Sequence, residues 1–281
     1  METHTAMNTG SLKFAANLSM LYGHLPLLER PDAAAAAGFE AAEIWWPFDS
    51  PVPADRDVDA LASALNEAGL QLVAMNFLEG DMRAGDRGLL SVPDGVSRFR
   101  DSIETAVAFA DRSGCRVLNA LYGNRQPDTD PAAQHELALE SLVIAARAAH
   151  KVGARVVLET ISRQEAPDYP LGNADTTVAM ADRVNEASGL SNTGFLCDLY
   201  HHGRNGEDIP ALLRRHEQRI THFQIADTPG RGRPGSGVLD YQDYFARIDA
   251  SGYDGWIGLE YEPTRDYAVD FDWLPSLHPR T

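Results

Sequence analysis

The sequence predicts an α/β protein built as a single (β/α)8 barrel, with the active site at the C-terminal ends of the strands. Eight short apolar runs of β-strand character alternate with helical stretches along its 281 residues. No linker rich in Pro, Gly or Ser divides the chain, and its length fits one large barrel. A doubly wound sheet is the alternative fold, because a repeating pattern of strands and helices does not reveal whether the sheet closes.

The predicted elements follow one another in a regular alternation. The strands cover residues 12–17, 42–46, 70–76, 116–121, 154–159, 193–199, 220–225 and 255–261. The helices between them cover residues 27–37, 57–68, 94–113, 131–152, 174–188, 207–217 and 240–251. Glycines in "NEAGL", "DRSGC", "HKVGA" and "DASGY" stand where a helix should end before the next strand. We therefore expect one barrel domain over residues 12–281.

The charge balance argues against nucleic acid as a partner. The chain has 24 basic and 41 acidic residues and a formal net charge of −17, whereas nucleic-acid binding draws on clustered Lys and Arg. The only lysines are Lys13 and Lys151, both away from the ends of the strands. Schiff-base chemistry is therefore not expected.

Cysteine content and hydropathy favour a cytoplasmic protein that does not contact a membrane. Cys115 and Cys197 each lie in an apolar stretch, and two cysteines make neither a disulfide framework nor a zinc-type cluster. No apolar run approaches the roughly 18 residues that span a bilayer. The first 11 residues, "METHTAMNTGS", lack the regions of a signal peptide. They are expected to be a disordered extension or a remnant of cloning.

Four of the apolar runs stop at an oxygen-bearing side chain. These side chains are Glu159, Asp198, Gln224 and Glu260, at the ends of strands five to eight. Side chains at the C-terminal ends of barrel strands converge on one mouth, where three carboxylates would repel one another unless a cation lay among them. Oxygen ligands favour Mg²⁺ or Mn²⁺ over zinc. Each residue alone would be an ordinary polar group, but their common position predicts a metal site.

A metal between two glutamates suggests a particular class of reaction. A divalent ion that binds a carbonyl and the adjacent hydroxyl acidifies the C–H bond between them. Glu159 and Glu260 could then remove and return the proton from opposite sides, while Asp198 and Gln224 act as pure ligands. The residues thus indicate ketose–aldose isomerisation, or epimerisation next to a carbonyl.

Further side chains near these strand ends are candidates for substrate contact. His201, in "DLYHH", could donate to a substrate oxygen. Arg231 or Arg233, in the glycine-rich segment "PGRGRPGSG", could clamp a carboxylate. Glu43, at the end of the second strand, could orient a ligand or a catalytic group. His222 should face the same side as Gln224, one layer deeper. Packing or solvation is the alternative role for each of them.

Five segments resemble the hydroxypyruvate isomerase family, within the xylose-isomerase-like TIM-barrel superfamily. They are "FAANLSMLYG", "GFEAAEIWWPFD", "EGDMRAGDRGLLSVP", "HFQIADTPGRGRPGSG" and "YDGWIGLEYEP". The resemblance covers nearly all the chain after residue 11. It implies metal-assisted interconversion of hydroxypyruvate and tartronate semialdehyde (2-hydroxy-3-oxopropanoate). The family's catalytic glutamates fall on Glu159 and Glu260, and its metal ligands on Glu159, Asp198, Gln224 and Glu260.

The sequence departs from the family pattern at two places. "ETISRQEAPDYPL" lacks the usual Pro after the Glu and the Asn that follows, and places Arg163 and Glu165 much as ketose 3-epimerases place an Arg and a second Glu. Val238 stands where the family commonly has Glu. A longer acid such as 2-oxo-tetronate, or a ketose, therefore stays open as substrate. A zinc endonuclease and a non-catalytic binding protein are more distant alternatives. Whether the chain forms a homo-oligomer is also open.

Overall fold

Eight parallel strands close into a barrel in the order of the sequence. The computed structural model describes residues 7–264, 271–275 and 277. The first and last strands pair directly, with Phe14 opposite Ile257 and Ala16 opposite Leu259. This pairing closes the barrel, so the predicted (β/α)8 fold is confirmed and the doubly wound sheet is excluded.

All eight predicted strands are present, and most are shorter than predicted by one to three residues. They are β1 (Lys13–Asn17), β2 (Ala41–Ile44), β3 (Gln71–Asn76), β4 (Val117–Asn119), β5 (Arg155–Glu159), β6 (Thr193–Asp198), β7 (Ile220–Ile225) and β8 (Trp256–Leu259). Their residues are almost all buried, because in this fold one face fills the barrel interior and the other packs on helices.

The helices confirm the seven predicted positions and add one element. They are α1 (Arg30–Ala36), α2 (Asp55–Ala68), α3 (Val96–Ser113), α4 (Pro131–His150), α5 (Ala174–Ser188), α6 (Leu199–Arg204), α7 (Ile209–His216) and α8 (Tyr241–Ala250). The prediction missed α6, because six residues are too few to show a helical period. The first predicted helix begins as a 3₁₀ turn over residues 27–29.

Five successive helices begin in the same way. An Asp or Asn precedes each of α4 to α8, and its side chain accepts a hydrogen bond from a backbone N–H of the first turn; these residues are Asp130, Asn173, Asp198, Asp208 and Asp240. Such caps satisfy N–H groups that would otherwise lack a partner, and each contributes about 1 kcal/mol. At Asp198 the cap also fixes one of the predicted ligands at the junction of β6 and α6.

The N-terminal segment is tied to the barrel as far as the structure describes it. The Met7 N–H donates to the Trp273 carbonyl, and the Ser11 hydroxyl donates to Asp249. Residues 1–6 of the expected extension lie outside the described residues. No helix in the described part of the chain is long and apolar enough to cross a membrane.

Candidate active site

A cavity of about 180 Å³ opens at the C-terminal ends of the strands. Its wall contains three carboxylates, three arginines and a histidine: Glu159, Glu165, Glu260, Arg83, Arg87, Arg231 and His201. Trp45, Asn76 and Met82 are among the remaining lining residues. A larger cavity of about 440 Å³ lies between α7 and α8, and none of the predicted site residues lines it.

Four buried side chains meet at the base of this cavity. Glu159, Asp198, His201 and Glu260 each offer one ligand atom, and these atoms all lie within 4.8 Å of one another. Glu159 and Asp198 end β5 and β6, and Glu260 directly follows β8. The Glu260 N–H donates to the Ile225 carbonyl of β7 at 3.1 Å, so its backbone is held to the barrel. The fourth predicted ligand, Gln224, is paired with Asp198 between β6 and β7, and its Nε2 lies 3.2 Å from Glu260 Oε1, so the convergence of strand ends brings all four predicted ligands together.

Burial and mutual repulsion favour the protonated forms of these carboxyls. Burial raises the pKa of Glu159 well above its usual value, and the charges of Glu260 and Asp198 raise it further. Burial raises the pKa of Asp198 to about 8, with Glu260 contributing. The pKa of Glu260 is raised by burial, although Arg231 opposes the shift. A cluster of this kind favours the entry of a cation.

Glu260 is the most heavily hydrogen-bonded member of the cluster. Its Oε1 accepts from the Trp45 indole N–H at 2.7 Å, from Gln224 Nε2 at 3.2 Å and from Asn17 Nδ2 at 3.3 Å. Its Oε2 accepts from Arg231 Nη2 at 2.7 Å. Glu159 has fewer partners, chiefly Asn119, whose amide donates at 2.8 Å. Glu260 is therefore held in a fixed orientation by four side chains.

Glu43 and His222 lie beneath the cluster, and neither lines the cavity. Glu43 Oε2 is 2.7 Å from His222 Nε2, while its Oε1 accepts from Gln224 Nε2 at 2.9 Å and from Asn17 at 2.8 Å. All four side chains are buried. Glu43 therefore orients Gln224 and Asn17 from below, and its predicted role in orienting a ligand fits this position better than substrate contact does.

Burial and hydrogen bonding together define the charge and the tautomer of His201. The Ser162 N–H donates to His201 Nδ1 at 3.1 Å. Burial lowers the pKa of His201 well below its usual value, as does the charge of Arg231, so the ring is neutral. Because Nδ1 accepts, the proton is on Nε2, which lies 3.7 Å from Glu159 and 3.6 Å from Asp198. The ring is thus a donor facing the cavity and fits a contact to a substrate oxygen better than a bond to a metal.

Two buried oxygens make the cluster suited to a divalent cation. Among the described residues, Asp198 Oδ2 and Gln224 Oε1 have no hydrogen-bond partner, an arrangement that is costly for buried polar atoms. Gln224 directs its amide N–H groups at Glu43 and Glu260, which leaves its oxygen for a ligand. These oxygens, with those of Glu159 and Glu260, form the hard donor set that Mg²⁺ or Mn²⁺ prefers.

Arg231 holds the glycine-rich segment against the cluster. Its Nη1 lies 3.2 Å from Glu165, its Nη2 donates to Glu260, and its guanidinium lies 5.0 Å from the centre of the Tyr200 ring. Its backbone has a φ of 51°, which is unusual for a residue with a side chain. Of the other predicted arginines, Arg233 donates to the Pro234 carbonyl. Neither it nor Arg163 lines the cavity.

Several residues at the site were not predicted from the sequence. The amides Asn17 and Asn119 end β1 and β4 and donate to the glutamates. Like the carboxylates, each of these amides is a polar residue at the end of an apolar strand, so the sequence contained the pattern that would have identified them. Arg83 and Arg87 lie in the long loop after β3, where no local pattern marks them as cavity residues.

Comparison with known proteins places the chain in a family. Residues 31–277 match the family described as xylose isomerase-like TIM barrel, and the chain belongs to that family. Its resemblance to hydroxypyruvate isomerases is also confirmed, and with it the expectation that the protein is an enzyme of the isomerase class. A Streptomyces coelicolor protein provisionally named a hydroxypyruvate isomerase is 52% identical over 273 residues, which are 96% of this chain and 98% of that protein.

Two further proteins that resemble this chain have different names. A 2-oxo-tetronate isomerase of Cupriavidus necator is 35% identical over 262 residues, 93% of this chain and 97% of that protein. A crystal structure described as an AP endonuclease, family 2, from Brucella melitensis superimposes with a TM-score of 0.81 and 32% identity, covering 90% of this chain and 94% of that one. The family and fold are thus well defined, whereas the substrates named among these relatives differ.

Proposed function

We propose that the protein is a metal-assisted aldose–ketose isomerase that interconverts hydroxypyruvate and 2-hydroxy-3-oxopropanoate. The observation that carries the proposal is the pair of buried glutamates, Glu159 and Glu260, that flank one cavity beside a donor set suited to a divalent cation. A Mg²⁺ or Mn²⁺ ion held by these glutamates, Asp198 and Gln224 would supply Lewis acidity to the substrate carbonyl and hydroxyl oxygens.

The side chains of the site have complementary roles in this proposal. One glutamate removes a proton from C3 of hydroxypyruvate, which gives an enediol form, and the other delivers a proton to C2. A second proton passes from the C3 hydroxyl oxygen to the C2 oxygen, and the product, 2-hydroxy-3-oxopropanoate, has the same atoms as the substrate. The Nε2–H of His201 is suited to donate to one of these oxygens. Trp45 and Arg231 hold Glu260 through hydrogen bonds and so fix the direction of proton transfer.

The size of the cavity supports a small substrate. Its volume of about 180 Å³ is below the roughly 300–1,000 Å³ of pockets that take drug-sized ligands. A three-carbon acid fits this volume better than a hexose.

The test is NMR of hydroxypyruvate with the protein in D₂O, with added Mg²⁺ or Mn²⁺ and with EDTA as the control. We expect metal-dependent formation of 2-hydroxy-3-oxopropanoate that carries deuterium at C2. Absence of both conversion and exchange, with metal present, would refute the proposed substrate. Conversion that persists in EDTA would refute the metal assistance but leave the isomerase assignment.

A longer 2-oxo acid is the second candidate substrate. It is supported by the relative named 2-oxo-tetronate isomerase and by Glu165, which lines the cavity at a position where the sequence departs from hydroxypyruvate isomerases. Competition between hydroxypyruvate and 2-oxo-tetronate in one reaction gives the ratio of their kcat/KM values. A ratio in favour of the four-carbon acid would select this alternative.

Cleavage of DNA has little support in this chain. The name of the Brucella structure belongs to that protein. The net charge of −17 opposes a polyanion, since DNA binding relies on a basic surface. The metal cluster among the described residues contains one histidine, His201, and oxygen ligands do not favour zinc.

A further inference from the structure

The loop between β3 and α3 carries two arginines that the proposed mechanism does not use. Arg83 and Arg87 line the same cavity as Glu159 and Glu260. Arg87 donates to the carbonyls of Met82 and Asp86 through Nη1. The guanidinium of Arg83 makes no hydrogen bond or ion pair with any residue that the structure describes, since only its backbone N–H is bonded, to Asp81. Neither arginine is paired with a carboxylate of the described residues, and the Arg83 guanidinium also has no hydrogen-bond partner among them.

Arg231, the arginine expected from the sequence to clamp a carboxylate, is already engaged. Its Nη1 pairs with Glu165, its Nη2 with Glu260, and its Nε approaches the Glu260 carbonyl at 3.4 Å. A substrate carboxylate would have to displace these partners. No such displacement is needed at Arg83.

The loop that carries Arg83 is ordered by its own side chains and by the segment that follows β4. Asp81 accepts from the N–H groups of Arg83 and Ala84, and the Asp81 N–H donates to Asp86. The Asn124 amide donates to the Gly85 carbonyl at 3.0 Å. The Gly123 N–H donates to the Arg87 carbonyl at 2.8 Å. Arg83 thus extends from a loop that is fixed to the segment after β4.

The charges of the site fit a monoanionic substrate. The cavity wall has three carboxylates and three arginines, and Asp198 adds a fourth carboxylate below it. With all four carboxylates ionised, as metal binding requires, these seven groups carry one net negative charge, and a divalent cation would bring the sum to one positive charge. An acid with one carboxylate would neutralise this excess, whereas a neutral sugar would not.

From these observations we infer that Arg83 binds the carboxylate of the substrate and so selects an acid over a neutral sugar. The inference rests on the proposed isomerase function, whose substrate class it explains. Arg87 adds a second positive charge on the same side, and its other hydrogen bonds hold the loop. Arg83 is a binding residue that acts on specificity and takes no part in proton transfer.

The experiment compares an acid with its neutral counterpart in the metal-loaded enzyme. Hydroxypyruvate and dihydroxyacetone differ only in that a carboxylate replaces a hydroxymethyl group. For Arg83→Ala we expect kcat/KM for hydroxypyruvate to fall about 10- to 100-fold, mainly through KM, since charge-assisted hydrogen bonds have this size. The value for dihydroxyacetone should change less than about threefold. Arg98→Ala, at an exposed arginine of α3 outside the cavity, is the matched control.

The outcomes separate this inference from the proposed function. Equal losses on both substrates, or no loss on either, would overturn the role of Arg83 while leaving the isomerase intact. If the wild-type enzyme does not convert hydroxypyruvate, the proposed function fails, and binding of D-glycerate and of glycerol is then measured by calorimetry. Weaker binding of glycerate to Arg83→Ala than to wild type would still support the anion site, and unchanged binding would overturn it.

Discussion

Metal binding at the carboxylate cluster should release protons at neutral pH. Burial raises the pKa of Asp198 to about 8 and that of Glu159 well above its usual value, so the metal-free protein holds protons there at pH 7. A divalent cation requires the ionised carboxylates. The experiment is therefore a titration of the EDTA-treated protein with Mn²⁺ at several pH values.

The size of the effect follows from the pKa of Asp198. With a pKa of about 8, this carboxyl is about nine-tenths protonated at pH 7, so it alone releases about one proton for each metal bound. The apparent affinity should rise about tenfold for each pH unit below 8. Glu159 adds to the released protons, because its pKa is also raised.

Calorimetry in two buffers with different heats of ionisation counts the released protons directly. We expect at least about one proton for each Mn²⁺ at pH 7, and fewer by about one in Asp198→Asn, which also binds more weakly. Affinity that is independent of pH between 6 and 8, with no released proton, would show that the cluster is already ionised. Burial would then not raise the pKa values of these carboxyls as expected.

Three other substitutions test separate parts of the structure. Glu260→Gln should lower kcat at least about 100-fold, as expected for loss of a proton-transferring group, and exposed Glu262→Gln should not; near-normal activity would remove Glu260 from the mechanism. Burial raises the pKa of Glu79 from 4.5 to about 8, so the folded state holds a proton that the unfolded chain loses. The contribution of Glu79 to stability should therefore fall by up to roughly 4–5 kcal/mol as the pH rises from 4.5 to 8, and the pH dependence measured by urea unfolding should be smaller by about this amount in Glu79→Gln. Asp227 accepts three backbone N–H bonds in the loop after β7, so thermal unfolding of Asp227→Ala should show a loss on the order of 3 kcal/mol; an unchanged Tm would mean the loop does not depend on them.

The sequence was informative wherever a local pattern and the barrel geometry coincide. An apolar run that ends on a polar residue is visible in the sequence, and in a barrel every strand end points to the same mouth. This is why Glu159, Asp198, Gln224 and Glu260 could be predicted to lie together before their geometry was known. Their individual roles stay a prediction until activity is measured.

The side-chain contacts of the site that could not be predicted from the sequence join positions far apart in the chain. Arg231 bonds to Glu165, 66 residues away, and Glu43 bonds to Gln224 at a separation of 181 residues. No period or motif reports such pairings. The short helix α6 was missed for another reason, since its six residues are too few to show a helical period and its cap, Asp198, is also the last residue of a strand.

The proposed roles of strand ends and loops in this site would account for the different substrates in the names of its relatives. The carboxylates and His201 lie at strand ends and the start of α6, and in the proposed reaction they would act on a carbonyl and its neighbouring hydroxyl, which hydroxypyruvate, longer 2-oxo acids and ketoses all contain. In that proposal the rest of a substrate would meet Arg83, Glu165 and Arg231, which line the same cavity and lie on loops after β3, β5 and β7. Loops tolerate substitution far better than barrel strands do. We therefore expect the loop residues to decide substrate identity in this chain and the strand ends to decide the type of reaction.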